Sequence, residues 1–108
     1  MLCNTSVSEV PVSVSLSTHV LDVAVGRPAA GIRVELHRGS KVIASGETNE
    51  DGRVSDLAAG LAPGSYRLVF HPPSPFFRRV ELELELGDGH HHVPLLVSPY
   101  SCVTYRGS

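Results

Sequence analysis

The chain has 108 residues, 42% of them hydrophobic and 19% charged, with a formal net charge of -2. That balance predicts one soluble globular domain and gives no electrostatic footprint for nucleic acid or acidic membrane. No apolar run approaches the roughly 20 residues that span a bilayer, and the first residues lack the basic start and apolar stretch of a secretory signal, so a cytoplasmic protein is expected.

Residues 1–10 show no sustained pattern and read as a flexible tail, which leaves residues 11–108 for the domain. From Val12 the pattern is regular: Val12, Val14, Leu16, Thr18 and Val20 alternate with Ser13, Ser15, Ser17 and His19, a half-buried strand with His19 on its polar face. Gly26 to Gly31 reads as a turn. After it Ile32, Val34 and Leu36 alternate with Arg33, Glu35 and His37 as a second strand, and Gly39-Ser40 turns the chain into a third over Val42 to Thr48. Asn49-Glu50-Asp51-Gly52 supplies the backbone of a tight turn and presents Arg53 directly after it. Residues 54–61 hold a short fourth strand, and Tyr66, Leu68 and Phe70 mark the next.

Pro72, Pro73 and Pro75 remove donors and disfavour helical backbone before them, so residues 71–75 should form an extended loop. Val80, Leu82, Leu84 and Leu86 then alternate with Glu81, Glu83 and Glu85, whose acidic face should be solvated. Gly87-Asp88-Gly89 turns into His90 to Val97, Pro99 breaks that run, and Tyr100 to Tyr105 form a last strand. Seven to eight strands with turns at this spacing predict an all-β sandwich, with Val14, Leu16, Val34, Leu36, Leu68, Leu82 and Leu84 packed between two sheets. Cys3 and Cys102 read as free thiols, because a reducing cytosol and a mobile residue 3 both oppose their pairing.

The two ends of the domain carry recognisable motifs. Leu16-Ser17-Thr18-His19-Val20-Leu21-Asp22, followed by Gly26-Arg27-Pro28-Ala29, resembles the N-terminal signature of the transthyretin and hydroxyisourate hydrolase family. His90-His91-His92-Val93-Pro94-Leu95-Leu96, Ser98-Pro99-Tyr100 and Thr104-Tyr105-Arg106-Gly107-Ser108 resemble its C-terminal signature. The closing Tyr105-Arg106-Gly107-Ser108 is the most specific element, since the hydrolases end in it and the hormone-carrying transthyretins lack it. Gly26 to Phe70 also resembles the regulatory-type β-sandwich modules of carboxypeptidases and bacterial surface proteins. The alternative is therefore a non-catalytic binding module, either a transthyretin-type carrier or a carboxypeptidase-regulatory-like domain. Two departures stand out: His91 replaces a common tyrosine, and only His71 to Phe76 stands where the family carries a longer segment with a short helix. A strand alternation would turn His91 away from His90 and His92.

The resemblance implies a transthyretin-like (prealbumin-like) β-sandwich without the short family helix. It implies a cofactor-free enzyme of urate breakdown that hydrolyses the N1–C6 bond of 5-hydroxyisourate to 2-oxo-4-hydroxy-4-carboxy-5-ureidoimidazoline. It also implies a homotetramer in which edge-paired dimers meet face to face and each cleft is lined from more than one chain. The catalytic set transfers to His19, Arg53, His92 and Ser108; substrate binding transfers to His19, Arg53, Thr104, Tyr105 and Arg106. In that scheme His92 is the general base, Thr104 orients the water, and His19 and Arg53 hold substrate and stabilise developing charge. Without the motif, His19 reads as an ordinary solvated histidine and Arg53 as a surface arginine. His90 and His92 share one strand face and with His19 make a conceivable zinc set, but no thiolate or HxxxH-type partner accompanies them, and the expectation is no metal and no cofactor. The motif at the chain end further suggests that Ser108 itself is placed, in a subunit interface.

Overall fold

Period-two alternation cannot be satisfied by an isolated strand, because each buries one face only against a second layer. The computed structural model describes residues 13–107 and shows how that layer is built; the expected tail, Cys3 and Ser108 lie outside the described residues. Within them are nine strands and no helix: β1 (Val14–Asp22), β2 (Arg27–Pro28), β3 (Arg33–Arg38), β4 (Lys41–Glu47), β5 (Arg53–Leu61), β6 (Gly64–Phe70), β7 (Val80–Leu86), β8 (Gly89–Ser98) and β9 (Ser101–Thr104). One sheet runs β2-β1-β8-β9 with β5 also paired to β1; the other runs β4-β3-β6-β7. All pairings are antiparallel except β1 with β8, which run parallel over nine positions from Val14↔Gly89 to Asp22↔Val97.

The inward faces supply the core. Val14, Leu16, Val20, Val34, Leu36, Leu68, Phe70, Leu95 and Val97 are essentially inaccessible to solvent, and each such side chain contributes about 1.5–3 kcal/mol of transfer free energy. Leu82 and Leu84 pack against this core but stay half-buried, because β7 is the edge of its sheet, while Glu81, Glu83 and Glu85 face solvent. The proline-rich segment is an extended loop, as its missing donors require.

Two expectations are refined. The count rises to nine because Leu21↔Pro28 and Asp22↔Arg27 form a two-residue bridge inside what reads as a plain turn. The fourth long strand covers nine residues, and its pairing with β1 shifts register twice, between Val14 and Leu16 and between Leu16 and Thr18. Such bulges scramble the alternation on which sequence reading depends.

Candidate active site

In a parallel pair, residues at the same register position send their side chains to the same face. Ser15 lies opposite His90 and Ser17 opposite His92, so the polar face of β1 and the outward histidines of β8 form adjoining rows. They are joined by hydrogen bonds. Ser15 Oγ lies 2.7 Å from His90 Nδ1, Ser17 Oγ 2.9 Å from His90 Nε2, and the same Ser17 Oγ 2.8 Å from His92 Nδ1. Both ring nitrogens of His90 are thus engaged, whereas among the described residues His92 Nε2 has no partner.

His19 continues the β1 row, its ring centroid 6.4 Å from that of His92. On its other side β5 begins, and the register His19↔Arg53 sets Arg53 on the same sheet face as the two imidazoles, near enough for its charge to act on His92. The turn before Arg53 is built for this. Asn49 Oδ1 accepts from the amides of Asp51 and Arg53 at 2.9 and 3.0 Å, and Gly52 N donates to Asn49 O at 2.9 Å. Gly52 has a φ of 75° and is packed so tightly that a Cβ would lie 2.4 Å from Val20 O, so only glycine fits. The turn also orients His19, whose Nε2 donates to Asp51 O at 2.8 Å.

Burial holds the His92 imidazole below its ordinary pKa, and the fields of Arg53, His19 and His90 push in the same direction. Cys102 shows the same burial effect with opposite sign, its thiol held above the ordinary pKa. His92 is therefore a neutral base over most of the physiological pH range, beside a permanent cation that can neutralise an oxyanion.

The structure brings His19, Arg53 and His92 together. It does not bring Thr104, Tyr105 and Arg106 to them within one chain. Those three line a cleft of about 730 Å³ between β7 and the end of β9, shared with His91 and Val93 on the opposite face of β8. Thr104 Oγ1 donates to Pro94 O at 2.8 Å. His91 turns away from its neighbours, its Nε2 bonded to Gly87 O at 2.8 Å. The chain end then returns to the site: Gly107 N donates to the carbonyl of His92 at 2.7 Å, and a Cβ on Gly107 would lie 2.8 Å from His92 Cδ2. Ser17 and Gly107 are parts of the site that the sequence reading missed. Ser17 showed only as one of several polar-face serines, and nothing in a one-dimensional pattern marks Gly107 as touching an imidazole. Among the described residues no three His, Cys, Asp or Glu side chains are placed to hold a metal ion.

A two-sheet sandwich with this strand order, carrying two histidines and an arginine on one sheet face, defines a protein of the transthyretin-like class. A family model described as the HIUase/Transthyretin family matches residues 16–107, and the chain belongs to that family. It is 43% identical to 5-hydroxyisourate hydrolase 2 of Rhizobium meliloti, over 86% of this chain and 95% of the relative. It is 41% identical to 5-hydroxyisourate hydrolase of Deinococcus radiodurans, with the same coverage of each chain. Among solved structures, Klebsiella pneumoniae 5-hydroxyisourate hydrolase superposes with a TM-score of 0.80 at 36% identity, covering 87% of this chain and 98% of that one. Transthyretin from Sparus aurata superposes at 0.77 with 25% identity, covering 86% and 96%.

Proposed function

We propose that this chain is an enzyme that hydrolyses 5-hydroxyisourate to 2-oxo-4-hydroxy-4-carboxy-5-ureidoimidazoline in urate breakdown, with no cofactor in the reaction. The observation that carries the reading is the meeting of His92, with an open Nε2 and a lowered pKa, with His19 and Arg53 on one exposed sheet face. Among solved structures the hydrolase matches at 36% identity and the transthyretin at 25%, which favours the enzyme over the carrier.

In the reaction, His92 Nε2 takes a proton from water as the oxygen attacks the C6 carbonyl. Arg53 stabilises the oxygen that becomes negative, and His19 holds the ring. Collapse breaks the N1–C6 bond, and the nitrogen leaves with the proton returned by His92. General-base catalysis of this kind supplies about 10²–10⁴ in rate, and one well-placed donor to the oxyanion about 10²–10³.

The working unit in this reading is a homotetramer, a dimer of dimers, in the cytoplasm. Support comes from the outer edges of β7 and β9, which have no strand partner among the described residues, and from the exposed Tyr100, Val103 and Tyr105 near one of them. Thr104, Tyr105, Arg106 and Ser108 complete the substrate site where subunits meet. The test is ultraviolet absorbance decay of freshly generated 5-hydroxyisourate with and without protein. Acceleration over spontaneous decay is expected; its absence would replace the enzyme by a non-catalytic binding module.

A further inference from the structure

A neutral imidazole carries its hydrogen on one of two nitrogens, and the bond made by the second nitrogen decides which. The functional reading above, on which this inference rests, needs one tautomer of His92: lone pair on Nε2, hydrogen on Nδ1.

We propose that His90 fixes that tautomer from a distance, through the hydroxyl of Ser17. Ser17 Oγ lies 2.9 Å from His90 Nε2 and 2.8 Å from His92 Nδ1, and Ser15 Oγ lies 2.7 Å from His90 Nδ1. A hydroxyl has one hydrogen, so with both rings neutral and all three bonds made, Ser17 donates to one ring and accepts from the other. Two arrangements satisfy the count. In the first, His92 Nδ1–H donates to Ser17, Ser17 donates to His90 Nε2, and His90 Nδ1–H donates to Ser15; His92 Nε2 keeps its lone pair. In the second every donor is reversed: Ser15 donates to His90 Nδ1, His90 Nε2–H donates to Ser17, and Ser17 donates to His92 Nδ1. His92 then carries its hydrogen on Nε2 and cannot act as a base there. The two rings are thus held in step, with hydrogen on Nδ1 in both or on Nε2 in both.

The surroundings of His92 favour the first arrangement. Among the described residues no acceptor lies within hydrogen-bond reach of His92 Nε2, and the positive field of Arg53 acts on this ring. A lone pair is stabilised in such a field, whereas an N–H is repelled by it and would have no partner. Burial of Ser17 keeps water from standing in for either ring, while the Ser15–His90 end reaches solvent, where the spare hydrogen of Ser15 finds water. Ser17 and His90 are positioning residues, acting on the reaction through His92. The seam orients hydrogens and passes none along it.

The experiment reads the tautomers directly, by nitrogen-15 spectra of the full-length protein labelled in histidine, at a pH where both rings are neutral. Wild type should show Nδ1–H on His92 and on His90. Two substitutions at the exposed position 90 then set the direction of the Ser17 hydroxyl. In His90→Glu the carboxylate can only accept, so Ser17 keeps donating to it and His92 stays Nδ1–H. In His90→Lys the ammonium can only donate, so Ser17 turns its hydrogen to His92 Nδ1 and the ring becomes Nε2–H. Ser17→Ala should give a mixture, and Ser17→Thr, which keeps the hydroxyl, should match wild type.

Activity on freshly generated 5-hydroxyisourate should follow, with kcat taken on the pH-independent plateau so that the added charges do not enter. One hydrogen bond biases an equilibrium by up to about tenfold, so Ser17→Ala should lose up to about tenfold in kcat. In His90→Lys the same bond changes from favouring the base to opposing it, for a loss on the order of 10², while His90→Glu should stay within about twofold of wild type. Because substrate contacts are untouched, KM should stay within about twofold throughout. Nε2–H on His92 in wild type, or the same His92 tautomer in His90→Glu and His90→Lys, would overturn the proposal. If Ser17→Ala does not fold, the pair at position 90 decides, since Ser17 is intact in both. A wild type with Nδ1–H on both rings that fails to accelerate hydrolysis would instead overturn the functional reading and leave the coupling of the rings standing.

Discussion

Gly107→Ala puts the chain end to a quantitative test. Gly107 is not among the glycines of positive φ, so its backbone tolerates a side chain and only space is at issue. The new Cβ would lie 2.8 Å from His92 Cδ2 and 3.0 Å from the His92 carbonyl oxygen, where ordinary contact begins at 3.4 Å. About 0.6 Å must be found. Strand β8 cannot supply it, because parallel pairing with β1 pins nine successive positions. Either the imidazole swings, stretching its 2.8 Å bond to Ser17, or the chain end lifts and loses the 2.7 Å bond from Gly107 N to His92 O. A misplacement of about 1 Å costs on the order of 10²-fold, so the imidazole swing alone should lower kcat on the order of tenfold. Stability should fall by only about 0.5–1.5 kcal/mol, the worth of one peripheral hydrogen bond. The assay is steady-state hydrolysis beside a thermal melt. Wild-type kcat in a Gly107→Ala protein that melts normally would refute the claim that the chain end positions His92.

Three more perturbations probe other parts of the molecule. Arg53→Gln removes a positive charge that depresses the His92 pKa, so the acid limb of the kcat/KM profile should move to higher pH even as activity falls; an unmoved limb would show that Arg53 does not act on the base. Gly52→Ala meets both a φ of 75° and a Cβ 2.4 Å from Val20 O, and a strained position of this kind costs about 1–3 kcal/mol, which a melt would show as a drop of several degrees. Glu35 is held down to a pKa of about 2 by hydrogen bonds from His37 and then Arg33, against an ordinary 4.5. A depressed carboxylate adds stability above its unfolded pKa and loses it as pH falls through the folded one. The advantage of wild type over Glu35→Gln should therefore shrink between pH 4.5 and 2 in melts taken across that window, and a constant difference would contradict the assignment.

The strands that alternate cleanly were readable one by one. Val14 to Val20, Arg33 to His37 and Val80 to Leu86 each announce which residues face inward, because the period of a strand is a property of the chain alone. Residues 27–28 were not, since a two-residue bridge has no period; residues 54–61 were legible as a strand, but the bulges in its pairing with β1 hid which of its residues face inward. The site shows the same division more sharply. Alternation placed His19 on a polar face and His91 opposite His92, yet it is silent about which strand lies beside which. Ser17 and His92 are 75 residues apart, and only the parallel pairing of β1 with β8 brings them within 2.8 Å. Seen along the sequence, Ser15 and Ser17 are interchangeable solvated residues; seen across the sheet, one hydroxyl is buried between two imidazoles and the other opens to water. Family motifs supplied His19, Arg53 and His92 because motifs record residues that meet in space. They gave no reason for the serines between them, and that reason appears only when donors and acceptors are counted across the β1–β8 seam.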